Sequence, residues 1–155
     1  MAEVGLGEPH EGNTWGRLPD GIGDFVDTLP TPGAPNLPAP VPEVRLNEVD
    51  CHGREFIEVI NVGEIPADLR GWFVTDDVEQ PDHAFPLDGI VLDPGAIDAV
   101  RRQTADSDGF TFGIACGADT ITLLDPTGRV VDAIEVAALP AAFSYGRLPD
   151  GIGGR

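Results

Sequence analysis

The sequence contains no lysine. Its nine basic residues are all arginine and face 27 acids, for a net charge of −18. A chain this acidic repels phosphate backbones and anionic membrane surfaces, so neither nucleic acid nor a charged bilayer is an expected partner. Long apolar runs are missing too. None approaches the ~20 residues of a membrane-spanning helix, which excludes membrane insertion by that route. Serine is reduced to Ser107 and Ser144, and neither stands in a nucleophile-elbow context. The three histidines are His10, His52 and His83. No spacing among these residues favours a Ser/His/Asp triad, so the expectation is no enzyme and no catalytic residue. Cysteine is reduced to Cys51 and Cys116. With no CxxC, zinc-ribbon and thioredoxin-type chemistry are disfavoured. The missing lysine itself has two mundane sources: a GC-rich genome, or a salt-adapted acidic surface.

What is abundant is punctuation. The 155 residues include 20 Gly and 15 Pro, and 41% are hydrophobic, enough for a core in one domain. Residues 44–49 (VRLNEV) alternate apolar and polar. Residues 55–61 (EFIEVIN) are rich in β-formers, with Ile57 and Val59 on one face. Residues 68–77 (DLRGWFVTDD) read as one strand bent at a glycine. Asp88-Gly89 and Asp93-Pro94-Gly95 mark turns inside 85–95. Residues 97–104 are ambiguous between strand and short helix. Residues 120–136 form the clearest hairpin, turning at Asp125-Pro126-Thr127-Gly128. No amphipathic helix of ten or more residues is visible. Turn signals every eight to twelve residues predict an all-β sandwich or barrel.

The chain also repeats itself. Residues 14–23 read TWGRLPDGIG and residues 144–153 read SYGRLPDGIG, with eight of ten identical at an offset of 130. Internal repeats of this kind take precedence in assigning architecture. The first copy runs on into TPGAPN (31–36). The second is followed by Gly154 and Arg155. The expected organisation is a C-terminal remnant of a preceding unit (1–36), a Pro-rich linker (37–42) and a second unit (43–155) without a closing TPGxPN segment. The start shows neither a basic nor an apolar leader segment, as expected of an excised piece. The remnant has an apolar side too small to fold alone. Trp15, Leu18, Ile22 and Phe25 are therefore expected to dock against the 44–155 body, in cis or by strand exchange between copies.

The ordered series VRLNEV, EFIEVIN, DLRGWFVTDD, DTITLLDPTGRVVDAIEV and SYGRLPDGIG resembles the lamin tail domain. That immunoglobulin-like module occurs in nuclear lamins and in many bacterial and archaeal surface or secreted proteins. The resemblance runs from Val44 to Gly151, and Trp15–Asn36 is similar to its closing segment. The missing TPGxPN end and the weakly apolar 97–104 depart from the pattern. The resemblance implies an immunoglobulin-like β-sandwich with an N-terminal extended segment. Trp72 is its expected inter-sheet plug, and Asn61 and Gly71 mark turn or bulge chemistry. Pro149, Asp150 and Gly151 are expected to make a tight turn, with Arg147 stacked on Tyr145 to anchor it. Export, which the resemblance implies, favours a Cys51–Cys116 disulfide over two separate buried thiols.

The function implied is non-catalytic interaction or tethering within a larger extracellular or cell-surface protein. Its partners would be proteins or neighbouring repeat units, including a strand-exchanged homo-oligomer. The DNA-related role of lamins does not transfer to so acidic a surface. One alternative is an accessory module that positions a nuclease or phosphatase domain of the same polypeptide. Another is a Ca²⁺- or glycan-binding adhesin unit. No cofactor is expected. Oxygen ligands do crowd 76–83 (Asp76, Asp77, Glu79, Asp82, beside His83), the kind of donor set that suits Ca²⁺. Among 27 acids such a cluster reads first as a solvated loop. Asp106-Ser107-Asp108-Gly109 begins like a calcium loop but fails at Phe110.

Overall fold

A computed structural model describes residues 12–153 of the chain. His10 lies outside the described residues. The chain divides into two compact units, residues 1–41 and 42–155.

The first unit is a three-stranded antiparallel sheet of β1 (Thr14–Leu18), β2 (Asp24–Leu29) and β3 (Leu37–Pro38), in that order. Thr28 faces Thr14 in the register and is fully buried. Its hydroxyl donates to the Thr14 carbonyl at 3.1 Å. A Cβ on Gly16 would fall 2.6 Å from Thr28 Oγ1, so only glycine lets the threonine sit there. Residues 37–42 are therefore not linker throughout. Leu37 and Pro38 pair with Leu29 and Thr28. Proline tolerates this place because an edge strand leaves its missing N–H unneeded.

The second unit is a sandwich. One sheet has the order β10 (Ile97–Arg101), β5 (Phe56–Asn61), β4 (Val44–Asp50), β13 (Tyr145–Gly146). The other has the order β12 (Val130–Glu135), β11 (Thr120–Leu124), β7 (Phe73–Thr75), β8 (Phe85–Pro86). A two-stranded ribbon joins β6 (Ala67–Asp68) to β9 (Val91–Leu92), and Pro81–His83 form a single 3₁₀ turn. Every pairing between these strands is antiparallel. The fold is an immunoglobulin-like all-β sandwich. Alternation explains the layers: Val44, Leu46 and Val49 of β4, Ile57 and Val59 of β5, and Ile121 and Leu123 of β11 are all buried between sheets. Trp72 is 8% exposed and belongs to this core.

The expected single strand at 68–77 is in fact two. Gly71 takes φ +77°, and the Trp72 N–H closes a turn on the Leu69 carbonyl at 3.0 Å. The chain thus leaves the ribbon at β6 and enters the main sheet at β7. A left-handed residue cannot continue a pleated strand, whereas glycine accepts that conformation freely. Residues 97–101 resolve as strand, paired with β5 from Ile97↔Ile60 to Arg101↔Phe56. The 125–128 turn forms as expected. Gly128 takes φ +81° and its N–H reaches the Asp125 carbonyl at 2.9 Å.

Candidate functional site: the repeat turn and the strand that holds it

The duplicated sequence gives a duplicated turn. In the first unit Gly23 N–H donates to the Pro19 carbonyl at 2.8 Å, and in the second Gly153 N–H donates to the Pro149 carbonyl at 2.7 Å. Gly21 and Gly151 take φ +75° and +68°. A Cβ on either Gly23 or Gly153 would fall 1.9 Å from the carbonyl oxygen of Leu18 or Leu148. The glycines of RLPDGIG are thus required by a close backbone approach.

What holds the second turn is a bulge in β4. The register shifts between Leu46 and Glu48, leaving Asn47 as the extra residue. A bulged residue is re-aimed, and here the buried Asn47 points its amide at the turn. Asn47 Oδ1 accepts the Gly151 N–H at 2.8 Å. Its Nδ2 donates to Glu58 Oε1 at 2.6 Å and to Asp150 Oδ1 at 3.3 Å. Its carbonyl accepts the Arg147 N–H at 2.9 Å. Asn47 is not among the residues expected from the sequence to form this turn. The available signal was the polar pair Asn47-Glu48, which breaks the apolar–polar alternation of VRLNEV.

Arg147 does not stack on Tyr145 as expected. Its guanidinium takes both oxygens of Asp132, at 3.0 and 2.9 Å, and the Leu46 carbonyl at 2.9 Å. Asp132 Oδ2 also accepts the Leu46 N–H at 3.1 Å. The side chains of this pair are 12% and 14% exposed. A half-buried ring offers a cation far less than a sheltered carboxylate that can bind bidentately. Asp132 lies on β12 and Leu46 on β4, so the pair fastens the turn to both sheets. In the first unit the matching Arg17 does stack, 4.3 Å from the Phe25 ring centroid, and donates to the Gly23 carbonyl at 2.7 Å.

The surroundings of the second turn are acidic. Glu48 stands directly opposite Glu58 across β4 and β5. Burial pushes the Glu58 carboxyl above its usual range, the Asn47 hydrogen bond opposes this, and the charges of Glu48 and Asp150 add to the rise. Ser144 donates to Glu48. Asn47, Glu48, Tyr145, Arg147 and Asp150 help to line a cavity of about 290 Å³.

The remaining expected sites fall as follows. Cys51 and Cys116 are joined, with Cα atoms 5.5 Å apart. His52 lies beside the bridge, its Nδ1 3.4 Å from Cys51 Sγ and 3.2 Å from Cys116 Sγ. Among the described residues this is the one group of three ligand-type side chains whose donor atoms lie within 4.8 Å of one another. Bridged sulfurs have no thiolate to offer a metal, so the oxidised group is not a cation site. Asp76, Asp77, Glu79 and Asp82 do not converge in this way. Asp76 pairs with His83 Nδ1 at 2.7 Å, and Asp77 accepts Glu79 N–H and Gln80 Nε2 at 2.9 and 2.7 Å. Those local bonds, that to Gln80 first, lower the Asp77 carboxyl below its usual range. Phe110 is fully buried and stacks on Phe112 at 4.7 Å between centroids, so the residue that follows Asp106-Ser107-Asp108-Gly109 belongs to the core. Asn61 is the loop organiser expected, its Nδ2 donating to the Ile65 and Leu92 carbonyls at 2.8 and 2.9 Å. Trp15 and Leu18 lie on β1, Phe25 on β2 and Ile22 in the turn between them, where Ile22 is 85% exposed.

A family model for the Lamin Tail Domain matches residues 38–138, well over half of the chain. The chain belongs to the lamin tail domain family. This family is a non-catalytic, immunoglobulin-like one. The lamin tail domain match stops short of Tyr145 and starts after Asn36. Both copies of the repeat turn thus lie outside it. No curated protein matches the chain.

Proposed function

We propose that this chain is an interaction and tethering part of a larger exported or cell-surface protein and carries no catalysis of its own. The observation that carries this reading is membership of a non-catalytic, immunoglobulin-like family. The Cys51–Cys116 bridge supports export, because such bridges persist in oxidising compartments. The acidic exterior, at −18 overall, keeps the surface soluble and steers it away from nucleic acid and anionic lipid. Partners are proteins or neighbouring repeat units. Trp15, Leu18, Ile22 and Phe25 supply the apolar side through which the first unit docks on a sandwich, in cis or between copies. No cofactor takes part.

Fractionation of cells expressing the natural gene, combined with thiol trapping, tests the reading. The expected result is protein at the surface or in the medium with both cysteines bridged. Cytoplasmic protein with two alkylated thiols would overturn it.

A further inference from the structure

The two copies of the turn differ in which described residues they hold. In the first unit the turn carries a ligand of its own, the segment Thr31–Asn36 (TPGAPN). Asn36 N–H donates to both carboxylate oxygens of Asp20, at 3.0 and 3.2 Å. Asn36 Nδ2 donates to the Arg17 carbonyl at 3.1 Å. Thr31 Oγ1 reaches back to Asn36 Oδ1 at 3.5 Å. The asparagine sits over Gly16, where a Cβ would fall 3.0 Å from Asn36 Cγ. The segment therefore reads three features of the motif: a glycine, the next residue's carbonyl, and the aspartate three further on.

All three recur in the second unit as Gly146, Arg147 and Asp150. There the other side of the turn is occupied. A Cβ on Gly151 would strike Val62 Cγ1 at 2.2 Å, and Asn47 takes the Gly151 N–H and one Asp150 oxygen. Above Gly21, the matching point of the first unit, there is open space. Conversely, no described residue donates to the Arg147 carbonyl or to Asp150 Oδ2. The three atoms nearest to a Cβ on Gly146 would belong to strand β4, at Glu48 and Asn47, 3.3–3.5 Å away. Leu148 and Ile152 stand 83% and 72% exposed beside these acceptors.

We propose that the Gly146–Asp150 face of the second unit is a receptor for an extended Thr-Pro-Gly-X-Pro-Asn segment, bound as Thr31–Asn36 is bound on Gly16–Asp20. This deepens the tethering reading and rests on it. The chemistry of the partner is specific. Its asparagine supplies one backbone N–H to the Asp150 carboxylate and one amide N–H to the Arg147 carbonyl. Its prolines pre-set an extended chain, so little conformational freedom is lost on binding. The mode lets one unit's closing segment link it to another unit's turn.

The test uses the full chain and a fluorescein-labelled peptide of residues 31–38 (TPGAPNLP), read by anisotropy. Saturable binding is expected. Changing the peptide's asparagine to alanine should weaken it at least tenfold. Asp150→Asn in the chain should do the same, because the carboxylate loses its charge, while Asp20→Asn should not. Asparagine retains an oxygen for Asn47, so the variant should fold, and an unchanged melting temperature checks this. Sedimentation equilibrium adds a second readout: a dimer that Asp150→Asn returns to monomer shows a second copy supplying the segment. No binding at millimolar peptide overturns the proposal, as does equal binding by the alanine peptide or by Asp150→Asn. These measurements use purified components, so their failure leaves the cell-fractionation result standing on its own.

Discussion

Removing the Asp132 carboxylate should destabilise the sandwich strongly. Asp132→Ala deletes two hydrogen bonds from Arg147, one from the Leu46 N–H and one from the Ala133 N–H. Each bond to a charged group is worth ~1.5–3 kcal/mol, but bonds sharing one carboxylate do not add. The appropriate scale is the loss of one partner from a buried pair, ~3–5 kcal/mol, because the other charge is left uncompensated. With side chains 12% and 14% exposed, some water reaches Arg147 once Asp132 is gone. That places the loss at the lower end, about 3 kcal/mol. Urea unfolding followed by circular dichroism, with the disulfide kept oxidised, should show the midpoint falling by about 1–2 M. The melting temperature should fall by roughly 12 °C. The double change Arg147→Met with Asp132→Leu should recover only part of this: it removes the uncompensated charge, but it also takes away the partners of the Leu46 N–H and carbonyl. A loss below about 1 kcal/mol for Asp132→Ala would refute the reasoning. So would a double variant as unstable as the sum of its singles.

Four further outcomes follow. Trp72→Ala should cost about 3–5 kcal/mol by leaving a cavity between the sheets, read as a drop in melting temperature; a shift under a few degrees would place the ring outside the core. Reducing the Cys51–Cys116 bridge frees a long loop and should cost about 4 kcal/mol, read by comparing urea midpoints with and without reductant. The folded Glu58 carboxyl titrates above 4.5, so the folded state binds its proton more tightly than the unfolded one. Stability should then fall as pH rises through the region above 4.5, and Glu58→Gln should flatten that limb and stabilise the protein at pH 7. Asp125 is the opposite case, held down to about 2 from 3.8 first by the Thr127 hydroxyl. Its contribution is present above pH 3.8 and disappears toward pH 2, so Asp125→Asn should remove that part of the acid limb in a pH series of thermal melts.

The sandwich was legible in the sequence because burial on one face imposes alternation. VRLNEV and EFIEVIN announce their strands in this way, and Asp125-Pro126-Thr127-Gly128 announces its turn. The break at Gly71 was not legible as a break. A glycine in a strand pattern reads equally as a bend, a bulge or an ending, and only the pairing of β6 with β9 decides among them. The site divides similarly. RLPDGIG was visible through its repetition. Asn47 was not, because nothing in a local window shows that a strand will gain a residue and turn one side chain toward a segment a hundred positions away. Arg147 was visible as an anchor but matched to Tyr145, its neighbour in sequence. Its true partner lies 15 residues upstream on the opposite sheet.

By itself, then, the sequence determined the all-β class, the positions of most turns, the repeat and the acidic exterior. These follow from local chemistry: pleat alternation, glycine and proline geometry, and charge count. Tertiary structure alone decided that Arg147 meets Asp132, that Asn47 holds the second turn, and that Asp20 holds TPGAPN while Asp150 holds Asn47. Identical heptapeptides have identical local preferences. What distinguishes the two turns is which distant strand or segment reaches their free donors and acceptors, and that is settled only when the sheets close.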